Sequence, residues 1–157
     1  MTKLTIIILF ASLLFSSTSI YSQGISEGDT TQYLKRNSIQ GSGGFLLIMA
    51  TASGYYERIF GKKDLSIFAK GGMGTLVVWG SYGEFVMLEG GIITHSKKTN
   101  HFEASLGANY FFNKDFSNLI MPSLSAGYRL QKPGGNFVFR TGIGYFQGLY
   151  VGVGYCF

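Results

Sequence analysis

Residues 101–112 read HFEASLGANYFF, and residues 120–131 read IMPSLSAGYRLQ. In both, apolar residues alternate one by one with polar or small ones. That is the period of a β-strand, whose successive side chains point to opposite faces. In His101–Phe112 one face is Phe102, Ala104, Leu106, Ala108, Tyr110 and Phe112, and the other is His101, Glu103, Ser105, Gly107, Asn109 and Phe111. In Ile120–Gln131 the first set is Ile120, Pro122, Leu124, Ala126, Tyr128 and Leu130, with Met121, Ser123, Ser125, Gly127, Arg129 and Gln131 between them. Phe137–Tyr145 and Leu149–Phe157 continue the pattern. Every charge in these four segments, Glu103, Arg129 and Arg140, falls on the small-residue face. A half-buried sheet of a soluble protein also alternates, but it turns a polar face to water. Here the polar face is thin, made of Gly, Ser, Asn and isolated ions. Such a face suits the crowded inside of a narrow barrel whose outer face meets lipid. The sorting matters because an Arg facing hydrocarbon at the midplane costs about 2–4 kcal/mol.

Composition agrees. The chain has 157 residues with 23 glycines, 16% aromatic and only 13% charged residues; soluble domains carry about 25% charged residues. Its 46% hydrophobic content excludes a disordered polyelectrolyte. One cysteine, Cys156, excludes an internal disulfide framework and a cysteine zinc cage. It is read as a small inward side chain.

Residues 1–22 are expected to be a secretory signal peptide: Lys3, an apolar stretch from Leu4 to Phe15, then a small and polar run to Ser22. The apolar stretch is shorter than the roughly 20 residues a spanning helix needs. Residues 23–36 read as a polar linker and 37–157 as an outer-membrane β-barrel. The N-terminal half of the barrel is expected to form strands over Asn37–Gly43, Leu46–Phe60, Leu65–Val78 and Glu84–Thr94. Eight strands result, an even count as in bacterial single-chain barrels. Turns fall at Gly61–Asp64, Gly80–Gly83, Ser96–Asn100, Asn113–Asn118 and Gln131–Asn136, where Gly, Asn, Asp and Pro supply turn conformations. With both termini periplasmic, short loops near Ser42, Ser81, Asp115 and Gln147 face outside. Phe102, Tyr128, Phe137, Tyr155 and Phe157 ring one rim; Tyr110, Phe112 and Tyr145 ring the other.

The same parity places Glu57, Lys70 and Glu89 inward with Glu103, Arg129 and Arg140, and the six charges sum to zero. Buried ions persist when paired, so an internal ion-pair network is expected to plug the lumen; a narrow channel lined by the same groups is the rival. No catalytic, cofactor or metal site is expected. The two histidines, His95 and His101, flank one turn. His95-Ser96 resembles a lipid A deacylase pairing only superficially, since strand neighbours point to opposite faces. Gly41-Ser42-Gly43-Gly44 and Gly71-Gly72-Met73-Gly74 lack the Lys and the helix of a phosphate cradle. The lysines are scattered among turns, so no nucleic-acid surface is expected. Attraction to anionic lipid headgroups is. Two other readings stay open: a small barrel that binds an apolar ligand, and a lipid A-modifying enzyme.

Several blocks resemble the small outer-membrane β-barrel proteins of Bacteroidetes-type bacteria. Gly54-Tyr55-Tyr56-Glu57-Arg58-Ile59-Phe60 with the Gly-Lys-Lys turn after it is similar to a strand end of the "NYDRLF" type. Residues 102–108 (FEASLGA), 122–129 (PSLSAGYR) and 134–142 (GGNFVFRTG) follow in order, and 151–157 (VGVGYCF) is similar to a terminus of the "LSIGYSF" type. The resemblance implies an outer-membrane barrel and no known reaction. A terminal Phe with an aromatic two residues before it also resembles the signal read by the barrel-assembly machinery, which implies that Tyr155 and Phe157 act in insertion. Deleting Phe157 is expected to lower the amount of folded protein in the outer membrane, measured by immunoblot of membrane fractions; an unchanged amount removes that role.

Overall fold

A computed structural model describes residues 33–61, 65–94, 98–112, 116 and 118–157. Residues 1–22, expected to be a signal peptide, and 23–32 of the linker lie outside the described residues. The alternation produces eight strands: β1 (Asn37–Leu46), β2 (Met49–Phe60), β3 (Leu65–Val78), β4 (Ser81–Thr94), β5 (Asn100–Phe111), β6 (Ile120–Gln131), β7 (Phe137–Gly144) and β8 (Gly148–Cys156). Each pairs antiparallel with the next, and β8 returns to β1, so the sheet is a closed up-and-down barrel. Ser38 lies opposite Cys156 and Phe45 opposite Leu149 in the closing ladder. Beyond it, Phe157 N–H donates to the Asn37 carbonyl (2.8 Å) and Asn37 N–H to that of Phe157 (3.3 Å). Closure pairs the two strand edges an open sheet would leave bare. Among the described residues no helix is long and apolar enough to cross a membrane.

The first turn is not where the glycines suggest. β1 was expected to end at Gly43 with a loop near Ser42. The β1–β2 ladder instead runs through Gly41–Gly54, Ser42–Ser53 and Gly43–Ala52. The chain reverses at Leu47-Ile48. Ser42 and Ser53 hold the ladder's inner side by a hydroxyl–hydroxyl bond of 2.9 Å. The glycines here serve close approach: a Cβ on Gly44 would run into the Gln147 carbonyl oxygen, brought over it by the β7–β8 turn. β4 likewise starts at Ser81, earlier than the expected Glu84, because Trp79-Gly80 alone makes the turn. Leu47 (φ 50°) and Trp79 (φ 39°) take left-handed conformations, which cost a non-glycine residue about 1–2 kcal/mol.

Parity then divides the wall. The apolar positions named above for β5 and β6, and Phe137, Phe139, Ile143, Leu149, Val151, Val153 and Tyr155 on β7 and β8, are all exposed or half-exposed, and Glu103, Arg129 and Arg140 are buried. The inward rows of β2, β3 and β4 contain Glu57, Lys70 and Glu89, also buried. Only two strand charges point outward, Arg58 and Glu84. Arg58, opposite Asn37, is near the end where the termini meet, and Glu84, opposite Thr75, is near the other. Phe102 and Tyr128 pack edge to face at 6.1 Å on the outside of the first end.

The wall lies close to its filling. Gly91 is the register partner of Phe68, and a Cβ there would meet the Phe68 ring and the Ala104 carbonyl oxygen. Gly91→Val is expected to destabilise the barrel by about 1–3 kcal/mol, the usual cost of overpacking. Gly54→Ala, where an added Cβ meets nothing within 4 Å, is expected to leave stability unchanged. Urea midpoints of the refolded chain measure both.

Candidate functional site in the barrel lumen

Six consecutive strands each contribute one charge to the interior: Glu57 from β2, Lys70 from β3, Glu89 from β4, Glu103 from β5, Arg129 from β6 and Arg140 from β7. They converge into two connected groups. Glu57 gives one carboxylate oxygen to Arg129 Nη1 at 2.7 Å and the other to Arg140 Nη1 at 3.1 Å. Arg140 also donates from Nε to Glu103 Oε1 at 2.6 Å, and Arg129 Nη1 lies 3.7 Å from Glu103 Oε2. In the second group Lys70 Nζ sits 2.9 Å from Glu89 Oε2, and the Ser105 and Ser123 hydroxyls each donate to Glu89 at 2.7 Å.

Neutral groups complete the layer. Gln131 Oε1 accepts from Arg129 Nε and Nη2 at 2.9 and 2.7 Å. Gln40 Nε2 donates to Glu57 at 3.2 Å and to Ser38 at 2.7 Å. Tyr55 OH accepts from Arg140 at 3.1 Å, and Tyr150 OH donates to Glu103 at 3.3 Å. With Ser38 and Gln40 on β1 and Tyr150 on β8, every strand of the barrel joins this layer. Desolvation of six ions is offset only by such dense pairing, since a buried unpaired charge is far costlier than a buried pair.

Apolar clusters close the layer on both sides. Toward the β1–β2, β3–β4 and β7–β8 turns stand Leu76, Phe85, Met87, Phe111 and Phe146, with Tyr55 reaching from the polar layer. Phe85 meets Phe146 edge-on at 5.1 Å and Phe111 at 5.5 Å. Toward the termini stand Ile59, Phe68 and Ile93, capped by Leu34. Leu34 belongs to the polar segment ahead of β1. That segment is tied down by Ile59 N–H donating to the Arg36 carbonyl (2.7 Å) and Gly134 N–H to that of Tyr33 (3.1 Å). The ring of buried His101 is fixed near this end, its Nδ1 2.9 Å from the Thr94 carbonyl oxygen and its Nε2 3.1 Å from that of Gln131.

The chain matches no protein family, no curated protein and no solved structure. The reading of the site therefore rests on its geometry.

The structure brings all six expected inward charges into one layer. Tyr155 and Phe157 lie away from it, exposed on the outer surface beside the β1–β8 seam. His95 and Ser96 lie outside the described residues. Among the described residues, no three His, Cys, Asp or Glu side chains converge to hold a metal ion. Cys156 is a free, buried thiol pointing inward. Sequence reasoning missed the two apolar stoppers. It had Phe111 on the inner face, since adjacent residues of a strand face opposite ways, but Phe146 turns inward from the β7–β8 connection, where parity gives no guide.

The arrangement ties opposite walls together across the lumen. Glu57→Ala leaves Arg129 and Arg140 facing each other with half their counter-charge removed, and is expected to cost about 3–5 kcal/mol, the usual penalty for breaking a buried pair. Removing both charges of the other pair, in Lys70→Met with Glu89→Gln, is expected to cost much less. Urea unfolding of both variants against the parent provides the comparison.

Proposed function

We propose that this chain is an integral outer-membrane β-barrel with a structural or interaction role, a closed lumen and no reaction of its own. The observation that carries the reading is the sorting of the wall. Ile39, Ile67, Leu88, Leu106, Leu124, Ile143, Leu149 and Val153 lie exposed on seven of the eight strands, and β2 fills its place with Ala50, Ala52 and Gly54. The largest apolar patch on a soluble monomer is about 300–600 Å², whereas this belt runs round the whole barrel. A bilayer supplies the solvent such a surface needs, and closed backbone pairing is what hydrocarbon demands of strands.

The filling of the lumen supports the rest. A carrier of an apolar ligand needs an open apolar interior, but the middle of this barrel is occupied by ion pairs and both ends by aliphatic and aromatic side chains. A channel needs a continuous polar path, which Phe85, Phe111 and Phe146 interrupt. Export through the leader-like residues 1–22 and periplasmic termini complete the reading, and the resemblance of residues 54–60 and 151–157 to Bacteroidetes-type barrels points the same way. The partners are outer-membrane lipid and, during insertion, the barrel-assembly machinery acting on Tyr155 and Phe157.

The chain is expected to remain with outer membranes through carbonate extraction and to change gel mobility between unboiled and boiled samples. In planar bilayers it is expected to give no steady conductance. Release by carbonate overturns the membrane assignment, and steady large openings overturn the closed lumen.

A further inference from the structure

The two ends of the barrel differ in chemistry. At the end where the termini meet, Lys35, Arg36, Arg58, Lys98 and Lys132 are exposed or half-exposed. At the other end the two tightest turns are apolar. Leu47 is 83% exposed and Trp79 80%, with Ile48 beside them also exposed.

Pairing of Met49 with Val78 brings these turns together as one ledge. The outward faces leading to it are Phe45 and Ala50 on the first hairpin, and Val77 and Tyr82 on the second. Glu84 is the one outward strand charge near this end, and it accepts a hydrogen bond from Tyr82 OH at 3.3 Å. Two-residue hairpin turns that face water favour Asn, Asp or Gly where φ is positive. Here Leu47 and Trp79 occupy those conformations and expose apolar surface as well. Both features are unfavourable in water, and the second becomes favourable in lipid. Trp is the side chain most at home where acyl chains meet headgroups.

Resting on the membrane reading above, we propose that Leu47, Ile48 and Trp79 form a lipid anchor. The β1–β2 and β3–β4 turns seat at the headgroup–acyl boundary, and this side of the barrel ends within the leaflet. On the β1–β2 side, Phe45 and Ala50 join the ledge to the outer apolar belt with no charge between them, while Glu84 and its register partner Thr75 interrupt the β3–β4 side alone; the continuous side names lipid as the occupant. The basic end stays at the opposite surface.

Trp79 is the only tryptophan in the chain and so reports its own surroundings. The full chain is refolded into phosphatidylcholine vesicles, and insertion is established separately by flotation and heat-dependent gel mobility. In the inserted protein, vesicles with brominated acyl chains are expected to quench the emission strongly, as for an interfacial Trp, while iodide quenches it little. Quenching by iodide with no effect of bromolipid puts the turn in water and overturns the anchor. Resistance to both quenchers assigns the ledge to a second copy of the chain and also overturns it. A chain that does not float overturns the membrane reading, and the anchor with it. Leu47→Asn relieves the local backbone strain, so faster or equal insertion would place that turn in water; slower insertion is the expected result.

Discussion

A single carboxylate, Glu57, takes a guanidinium on each oxygen, and the interior is arranged around it. Arg129 and Arg140 are direct partners in the β6–β7 ladder, two cations side by side on one wall. On the neighbouring β5 only Glu103 is there to balance the two. The second acid, Glu57, arrives from β2 on the far side. This works only because an eight-stranded barrel is narrow enough for side chains to meet across it. Width, strand number and charge pattern are thus one constraint: a wider barrel would take Glu57 out of reach of both arginines and leave Glu103 alone to neutralise them.

The apolar clusters above and below protect that arrangement. Excluding water lowers the local dielectric, which strengthens each ionic hydrogen bond and raises the cost of losing one. Phe68 serves two purposes: its ring covers Gly91 in the wall and lies 5.7 Å from the Arg140 guanidinium carbon. Tyr55 similarly links the layers, hydrogen-bonded to Arg140 while its ring faces Lys70 Nζ at 5.2 Å. The outer surface needs none of this polarity, and its only strand charges, Arg58 and Glu84, stand near the two ends.

Much of this was legible in the sequence through parity alone. Once Glu103, Arg129 and Arg140 share a face, continuing the alternation brings Glu57, Lys70 and Glu89 to the same side. Pairing was not legible. Lys70 lies in register between Glu57 on β2 and Glu89 on β4, yet bonds to Glu89, whose carboxylate is also held by two serines from β5 and β6. Such choices depend on depth across the lumen, which no local pattern encodes. The first turn was hidden for another reason. Gly41 to Gly44 have turn composition but sit in a strand that Gln147 overhangs, while Leu47-Ile48 have strand composition but make the turn. Leu34 was hidden by its company, a single apolar residue in a polar segment that becomes a stopper only when the barrel end is there to receive it.

The seam between the first strand and the last has a consequence for biogenesis. β1 pairs with β8 from Ser38–Cys156 to Phe45–Leu149, and Asn37 bonds to Phe157 beyond them, so the ring cannot shut until the last strand has been made. Until then both raw margins and the whole greasy exterior are bare, and the contacts that end this vulnerability are the most distant in the chain, the kind that form slowly. A barrel built this way keeps both margins open until its first and last strands meet, so closure falls late in folding.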